Sequence, residues 1–95
     1  MPLSKLKVRS GLKKKGFIED NQKNHVYFSY KTISGKVTSI NTKISHGGKY
    51  KDVSDSLLSI MAQQCKLSTS NFKRLINCPL KIEDYDKIVS DLFSL

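Results

Sequence analysis

The sequence contains no tryptophan, only two prolines and no long uninterrupted apolar run. So few prolines argue against a low-complexity chain. A helix that spans a bilayer needs about 20 mostly apolar residues, and no stretch of the chain approaches this. The first residues, MPLSKLKVRSG, are interrupted by charges and lack the apolar core of a signal peptide. We therefore expect a cytoplasmic protein with no membrane contact. We also expect one small domain over residues 1–95, because so short a chain cannot form two independent cores.

Cysteine is also scarce, since the chain has only Cys65 and Cys78. Neither has a second cysteine or a histidine pair nearby, so the spacing predicts no metal site, and nothing else in the chain indicates a cofactor. A reduced pair is the default in the cytosol. We interpret both residues as small packing side chains, because free cysteines are among the most frequently buried residues.

Acidic residues are almost missing from the first half of the chain. Residues 1–51 hold 12 Lys and Arg against two acids, whereas residues 52–95 hold five against six. The net charge of +9 therefore lies almost entirely in the first half. Such an asymmetry is typical of a surface that faces a polyanion, although charge alone does not separate RNA, DNA, a membrane and an acidic protein.

The basic half begins with a predicted helix over residues 4–15. Ser4 is a suitable N-cap, and Gly16 is suited to the left-handed conformation that ends a helix. Gly11 is costly inside a helix, by about 1 kcal/mol, so we expect it to permit close packing on the sheet. The apolar face is formed by Val8, Gly11 and Leu12.

Three strands are predicted next, over residues 17–20, 25–31 and 37–44. The second strand alternates, with Val26, Phe28 and Tyr30 on one face and the more polar residues His25, Tyr27, Ser29 and Lys31 on the other. The third alternates in the same way, with Ile40 and Ile44 opposite Ser39, Asn41 and Lys43. A glycine-containing loop at 32–36 predicts a hairpin. The sequence therefore predicts an antiparallel meander with one apolar and one polar face.

Helices are predicted over residues 53–66, 68–76 and 81–93. Asp52 or Ser54 could cap the first, and Ser68 the second. The side chains expected to face inward are Val53, Leu57, Leu58, Ile60, Met61, Cys65, Phe72, Leu75, Ile76, Ile82, Tyr85, Ile88, Val89 and Leu92. The predicted fold is α+β, with an α-β-β-β-α core at 1–66 whose helices cover one sheet face, and a helical extension at 67–95. This order suits double-stranded-RNA-binding-like domains, among others.

The strings GLKKKGFIED, NHVYF and TKISHGGKY resemble the HicA toxin family. The pattern is a first helix that ends in Gly16-Phe17, a histidine that opens a strand at His25, and a basic loop with a further histidine at Ser45-His46-Gly47. In that family the residue before the first histidine is usually serine, whereas here it is Asn24. The resemblance covers roughly residues 4–66. It implies a small ribonuclease that cuts mRNA and is neutralised by a small antitoxin protein.

RNA cleavage of this kind needs no metal. A base must accept a proton from the ribose 2′-OH, an acid must protonate the leaving 5′-oxygen, and cations must stabilise the phosphorane. The resemblance makes His25 the predicted catalytic residue, and His46 a second acid or base, or a phosphate contact. Tyr27 and Ser29 are the predicted supporting neighbours of His25. The predicted RNA-binding cations are Lys13, Lys14, Lys15, Lys43, Lys49 and Lys51.

Two other functions stay open from the residues alone. One is a non-catalytic RNA-binding module that uses the same basic half. The other is a protein-interaction domain that docks through the more acidic helical tail. DNA binding ranks lower, because no predicted helix carries a row of base-reading side chains.

Overall fold

The computed structural model describes residues 3–22, 25–45, 52–77 and 79–94. In chain order the elements are β1 (Leu3–Ser4), α1 (Lys5–Lys14), β2 (Phe17–Asn21), β3 (His25–Lys31), β4 (Val37–Ser45), β5 (Asp52–Val53), α2 (Asp55–Gln64), α3 (Thr69–Asn77) and α4 (Ile82–Phe93). The predicted α+β class, with a three-stranded antiparallel sheet, is confirmed. Within these ranges no helix has the length and apolarity needed to cross a membrane.

Both predicted ends of α1 are confirmed. The Lys7 backbone N–H donates to Ser4 Oγ over 3.1 Å, and Gly16 adopts a positive φ of 90°. Gly11 does allow a close approach, but to α3 rather than to the sheet. A Cβ atom on Gly11 would lie 2.8 Å from the Ile76 carbonyl oxygen. The expected packing partner was therefore wrong, because α3 lies against the face of α1 that the sequence assigned to the sheet.

The sheet has the order β2-β3-β4, and both pairings are antiparallel. In β3, Val26, Phe28 and Tyr30 are buried, while the residues between them are half-buried. Their period of two is the one predicted, because successive strand side chains point to opposite faces. The register between β3 and β4 shifts between Ser29 and Lys31.

A two-stranded sheet, β1 with β5, was not predicted. Leu3 pairs with Val53, and Ser4 pairs with Asp52. Val53 was expected to begin a helix, but α2 begins at Asp55 and is capped by Ser54, whose hydroxyl accepts from the Leu57 N–H over 3.2 Å. Each of these strands has only two residues, which is too few for an alternating pattern to be recognised in the sequence. The sheet becomes visible only when the two distant segments are seen to pair.

One hydrophobic core includes residues from both halves of the chain. The helices after residue 66 contribute Phe72, Leu75, Ile76, Tyr85 and Val89 to it. These helices therefore share the core of residues 1–66 rather than forming a separate layer beside it. Ile60 and Leu92 were expected to face inward, but they are 52% and 57% exposed; each lies beside a better-buried neighbour on its helix.

Buried and partly buried polar groups join the sheet to the helices, and α4 to the end of α2. Thr42 Oγ1 donates to Gln64 Oε1 over 2.7 Å, and the Tyr30 hydroxyl donates to Asp86 over 2.6 Å. The Tyr85 hydroxyl donates to the Cys65 carbonyl over 2.9 Å. Cys65 is buried, and burial raises the pKa of its thiol to about 12. It is therefore an unreactive packing residue, as predicted, whereas Cys78 lies outside the described residues.

Candidate nucleic-acid interface

The three-stranded sheet has one apolar face in the core and one face with polar, more exposed side chains, called here the open face. Partners across an antiparallel sheet share a face, so the register defines its members. They are Ile18 and Asp20 on β2, His25, Tyr27 and Ser29 on β3, and Asn41, Lys43 and Ser45 on β4. All eight are exposed or half-buried. The open face is therefore a surface that a ligand can reach.

His25 is the first residue of β3, and its partner on β4 is Ser45. Its side chain is half-buried on the open face, and its ring lies 6.1 Å from the ring of Tyr27. A histidine side chain exchanges protons near neutral pH. The position is thus compatible with proton transfer to a bound ligand.

The predicted neighbours of His25 lie on the same face. Tyr27 pairs with Lys43, and Ser29 pairs with Asn41. Lys43 is exposed, so its ammonium is available to a phosphate that lies across β3 and β4. The strand pattern alone located these residues, because period and hairpin register together fix which side chains are adjacent.

Lys5 is a cation of this region that the sequence analysis missed. Its ammonium donates to Ser45 Oγ over 3.2 Å, and Ser45 is the cross-strand partner of His25. The contact joins residues 40 positions apart in the chain. No local motif indicates it. Next to Lys5, Ser4 pairs with Asp52 in the sheet of β1 and β5.

Lys13 does not lie with this group. Its ammonium is 3.1 Å from Glu19 Oε2, and Arg9 Nη2 donates to the other carboxylate oxygen. Glu19 pairs with Phe28 and so is on the helix-covered side of the sheet. Hydrogen bonds from Arg9 and then Lys13 are the main reasons why the pKa of Glu19 is lowered. Lys13 is thus engaged on the side opposite the open face.

Lys15 was expected on an exposed basic track, and this expectation was wrong. The residue is only 7% exposed. Its ammonium donates to the carbonyl oxygens of Leu75 at 2.6 Å and Leu80 at 2.9 Å. The last carbonyls of a helix have no partner within the helix, and Lys15 satisfies one at the end of α3. It stabilises the junction of α1 and α3.

The exposed side of α1 forms a shallow depression of about 550 Å³. It is lined by Leu6, Arg9, Ser10, Lys13 and Lys14. Lys14 is exposed, as predicted. Of the described cations predicted to bind RNA, Lys43 therefore lies on the open face, Lys13 and Lys14 line this second surface, and Lys15 lies on neither.

His46, Lys49 and Lys51 lie outside the described residues. The residues on either side of that segment are described: Ser45 contacts Lys5, and Asp52 pairs with Ser4. Both flanks of 46–51 therefore lie at the beginning of α1.

Within the described ranges, no group of three or more His, Cys, Asp and Glu side chains is arranged to hold a metal ion. No protein-family model matches the chain, and no curated protein or solved structure is significantly similar to it.

Proposed function

We propose that this chain is a HicA-like endoribonuclease, with a double-stranded-RNA-binding-like core, that cleaves mRNA without a metal. His25 is the proposed general acid or base. The observation that carries the proposal is the place of His25 on the open face, beside Tyr27 and opposite its cross-strand partner Ser45, which accepts a hydrogen bond from Lys5. Under this proposal the protein acts in the cytoplasm, and a small antitoxin protein is its second partner.

The reaction is an internal transfer at phosphorus. The ribose 2′-oxygen forms a bond to the phosphorus while the bond from phosphorus to the 5′-oxygen breaks, leaving a 2′,3′-cyclic phosphate. The 2′-OH loses a proton and the 5′-oxygen gains one, so the step is balanced. His25 performs one of these transfers and water can complete the other. Lys43 and Lys5 are the proposed cations that stabilise the charge that develops on the phosphate oxygens.

The deciding experiment uses a labelled single-stranded RNA with wild-type protein, His25→Ala and His25→Gln, all in excess EDTA. We expect wild type to cut and to leave cyclic-phosphate ends, and both variants to bind RNA with unchanged affinity without cutting. Loss of general acid–base catalysis typically slows a reaction by about 10²- to 10⁴-fold. Cleavage by His25→Gln at the wild-type rate would show that His25 takes no part in the reaction.

A comparison of Lys43→Ala with Lys87→Ala tests whether Lys43 stabilises the charge that develops on the phosphate oxygens. Both side chains are exposed lysines, but Lys87 lies on α4, away from the open face. We expect Lys43→Ala to reduce the cleavage rate, and Lys87→Ala to leave it near that of wild type. Equal effects would mean that only the total charge matters.

A second candidate is a non-catalytic RNA-binding module. The observation that favours it is the basic surface on α1, where Arg9, Lys13 and Lys14 line a depression that includes no residue of the open face. Phosphate contacts of this kind give affinity that weakens with salt and is independent of sequence. If wild type binds RNA and cuts none in the experiment above, this second function replaces the first.

A further inference from the structure

Tyr27 lies at the centre of the open face. It is on the middle strand, and its cross-strand partners are Asp20 on β2 and Lys43 on β4. The other aromatic side chains of β2 and β3, namely Phe17, Phe28 and Tyr30, are buried in the core. Tyr27 instead remains half-exposed. A large ring therefore stands on a surface where the alternating pattern requires only a polar residue.

The neighbours of Tyr27 are suited to a nucleotide. Its ring lies 6.1 Å from the ring of His25, with a tilt of 52° between them. The two rings are therefore tilted and not stacked face to face on each other. A phosphate that lies beside His25 would place the base of the adjoining nucleotide within reach of Tyr27.

Hydrogen-bonding groups continue beyond the ring. Ser29 and Asn41 form the next cross-strand pair on the open face, and a hydroxyl and an amide can bond to the edges of a base. Lys43, the cross-strand partner of Tyr27 on β4, can pair with a phosphate. An aromatic platform with polar groups and a cation beside it is typical of proteins that bind unpaired nucleotides.

A paired substrate would not use these features. In a duplex the bases are stacked within the helix, and a protein ring reaches one only after that base has been extruded. Phosphate contacts alone would need only the cations. The combination of Tyr27 with Ser29 and Asn41 is explained by a single strand whose bases are free.

We propose that the open face binds single-stranded RNA, and that Tyr27 stacks on the base next to the phosphate that lies beside His25. This inference rests on the proposed function, because it takes His25 as the place of the phosphate. It makes unpaired RNA the substrate class, and Tyr27 the residue that selects it.

Binding is measured in the His25→Ala background, so that cleavage does not consume the ligand. The probes are a short single-stranded RNA and the same strand annealed to its complement. We expect Tyr27→Leu to weaken single-strand binding about tenfold, the loss expected for one base–aromatic stack, and to leave duplex binding unchanged. Tyr27→Phe keeps the ring and should bind as tightly as the parent. Circular dichroism shows whether the leucine variant is folded.

A third probe is the single strand with one base removed, at each position in turn. When the missing base is the one that stacks on Tyr27, this RNA should bind the parent and Tyr27→Leu with equal affinity. The stacking contact is then already absent, so removal of the ring has no further effect. If Tyr27→Leu weakens single strand and duplex equally, or if every abasic RNA still shows the full effect of Tyr27→Leu, the stacking proposal is overturned.

The two proposals fail in different ways. If wild type never cleaves RNA but the dependence on Tyr27 remains, the ribonuclease proposal fails and single-strand binding stands. If wild type cleaves paired and unpaired RNA at equal rates and Tyr27→Leu changes neither, the ribonuclease stands and the role of Tyr27 is refuted.

Discussion

At the scale of single residues, three consecutive lysines at the end of α1 have three different environments. Lys13 binds Glu19, Lys14 is exposed, and Lys15 is buried against α3. A helix advances by about 100° per residue, so neighbours in the chain face different surroundings. A run of like charges therefore does not by itself define a binding surface.

Lys15→Met should lower the free energy of unfolding by about 1–3 kcal/mol, because two carbonyl oxygens, those of Leu75 and Leu80, lose their donor. Methionine retains most of the apolar length of the side chain. Lys14→Met is the matched control, and it should change stability by less than about 0.5 kcal/mol, since its side chain is exposed. Urea unfolding of both variants measures the difference. Equal stability would mean that the buried ammonium contributes nothing.

Glu19 predicts a dependence of stability on pH. The pKa of its carboxyl is lowered in the folded protein by Arg9 and Lys13, so the folded state favours the ionised form. The stabilisation is therefore complete above the ordinary value of 4.5, and it is lost as the pH falls through the lowered folded pKa. Unfolding of wild type and Glu19→Gln from neutral to acidic pH, at low salt, should show a difference that shrinks towards acid. A difference in stability that does not change with pH would exclude the ionised carboxyl of Glu19 as its cause.

At the scale of elements, the contact between α1 and α3 depends on Gly11. A methyl group on Gly11 would lie 2.8 Å from the carbonyl oxygen of Ile76, and 3.0 Å from the Cα and Cγ2 atoms of Ile76. The obstacle includes backbone atoms, which cannot rotate away as a side chain can. The helices therefore approach closely because one residue has no side chain.

Gly11→Ala should destabilise the protein by about 1–3 kcal/mol, the usual result of overpacking, although alanine is the better helix former by about 1 kcal/mol. Ser10→Ala, at the exposed neighbouring position, controls for helix propensity and should be neutral or slightly stabilising. The midpoints of thermal unfolding distinguish these outcomes. A Gly11→Ala protein more stable than wild type would show that α3 moves aside at little cost.

At the scale of the whole molecule, the last two helices belong to the core. The ring of Tyr85 on α4 lies 4.8 Å from Tyr30 and 5.8 Å from Phe17, both on the sheet. Its neighbour Asp86 accepts from the Tyr30 hydroxyl and from the Ile33 backbone N–H. The sheet and α4 thus form one unit.

A chain shortened to residues 1–66 should therefore fail to fold, because it exposes the apolar surfaces that α3 and α4 cover. A chain that ends at Phe93 is the control and should retain the native fold. Circular dichroism and the dispersion of backbone amide signals in NMR spectra report on both. A folded 1–66 fragment would show that residues 1–66 form a core that does not require α3 and α4.

The sequence alone determined the four helices, the three-stranded sheet and the two faces of that sheet, but not the short strands β1 and β5. Periods of 3.6 and two residues, with Ser4, Ser54 and Ser68 as caps, act over a few neighbouring positions, so they can be recognised without the fold. All three serines accept the expected backbone hydrogen bonds. The same local rule places His25, Tyr27, Ser29 and Lys43 on one surface.

Only the tertiary structure decided which distant groups meet. The contact of Lys5 with Ser45, the burial of Lys15 under α3 and the pairing of Leu3 with Val53 join residues 40 or more positions apart. Each depends on how whole elements pack, and packing is a property of the complete core rather than of a short segment. The local pattern therefore predicted the surface that carries His25, while the fold determined which cations lie beside it.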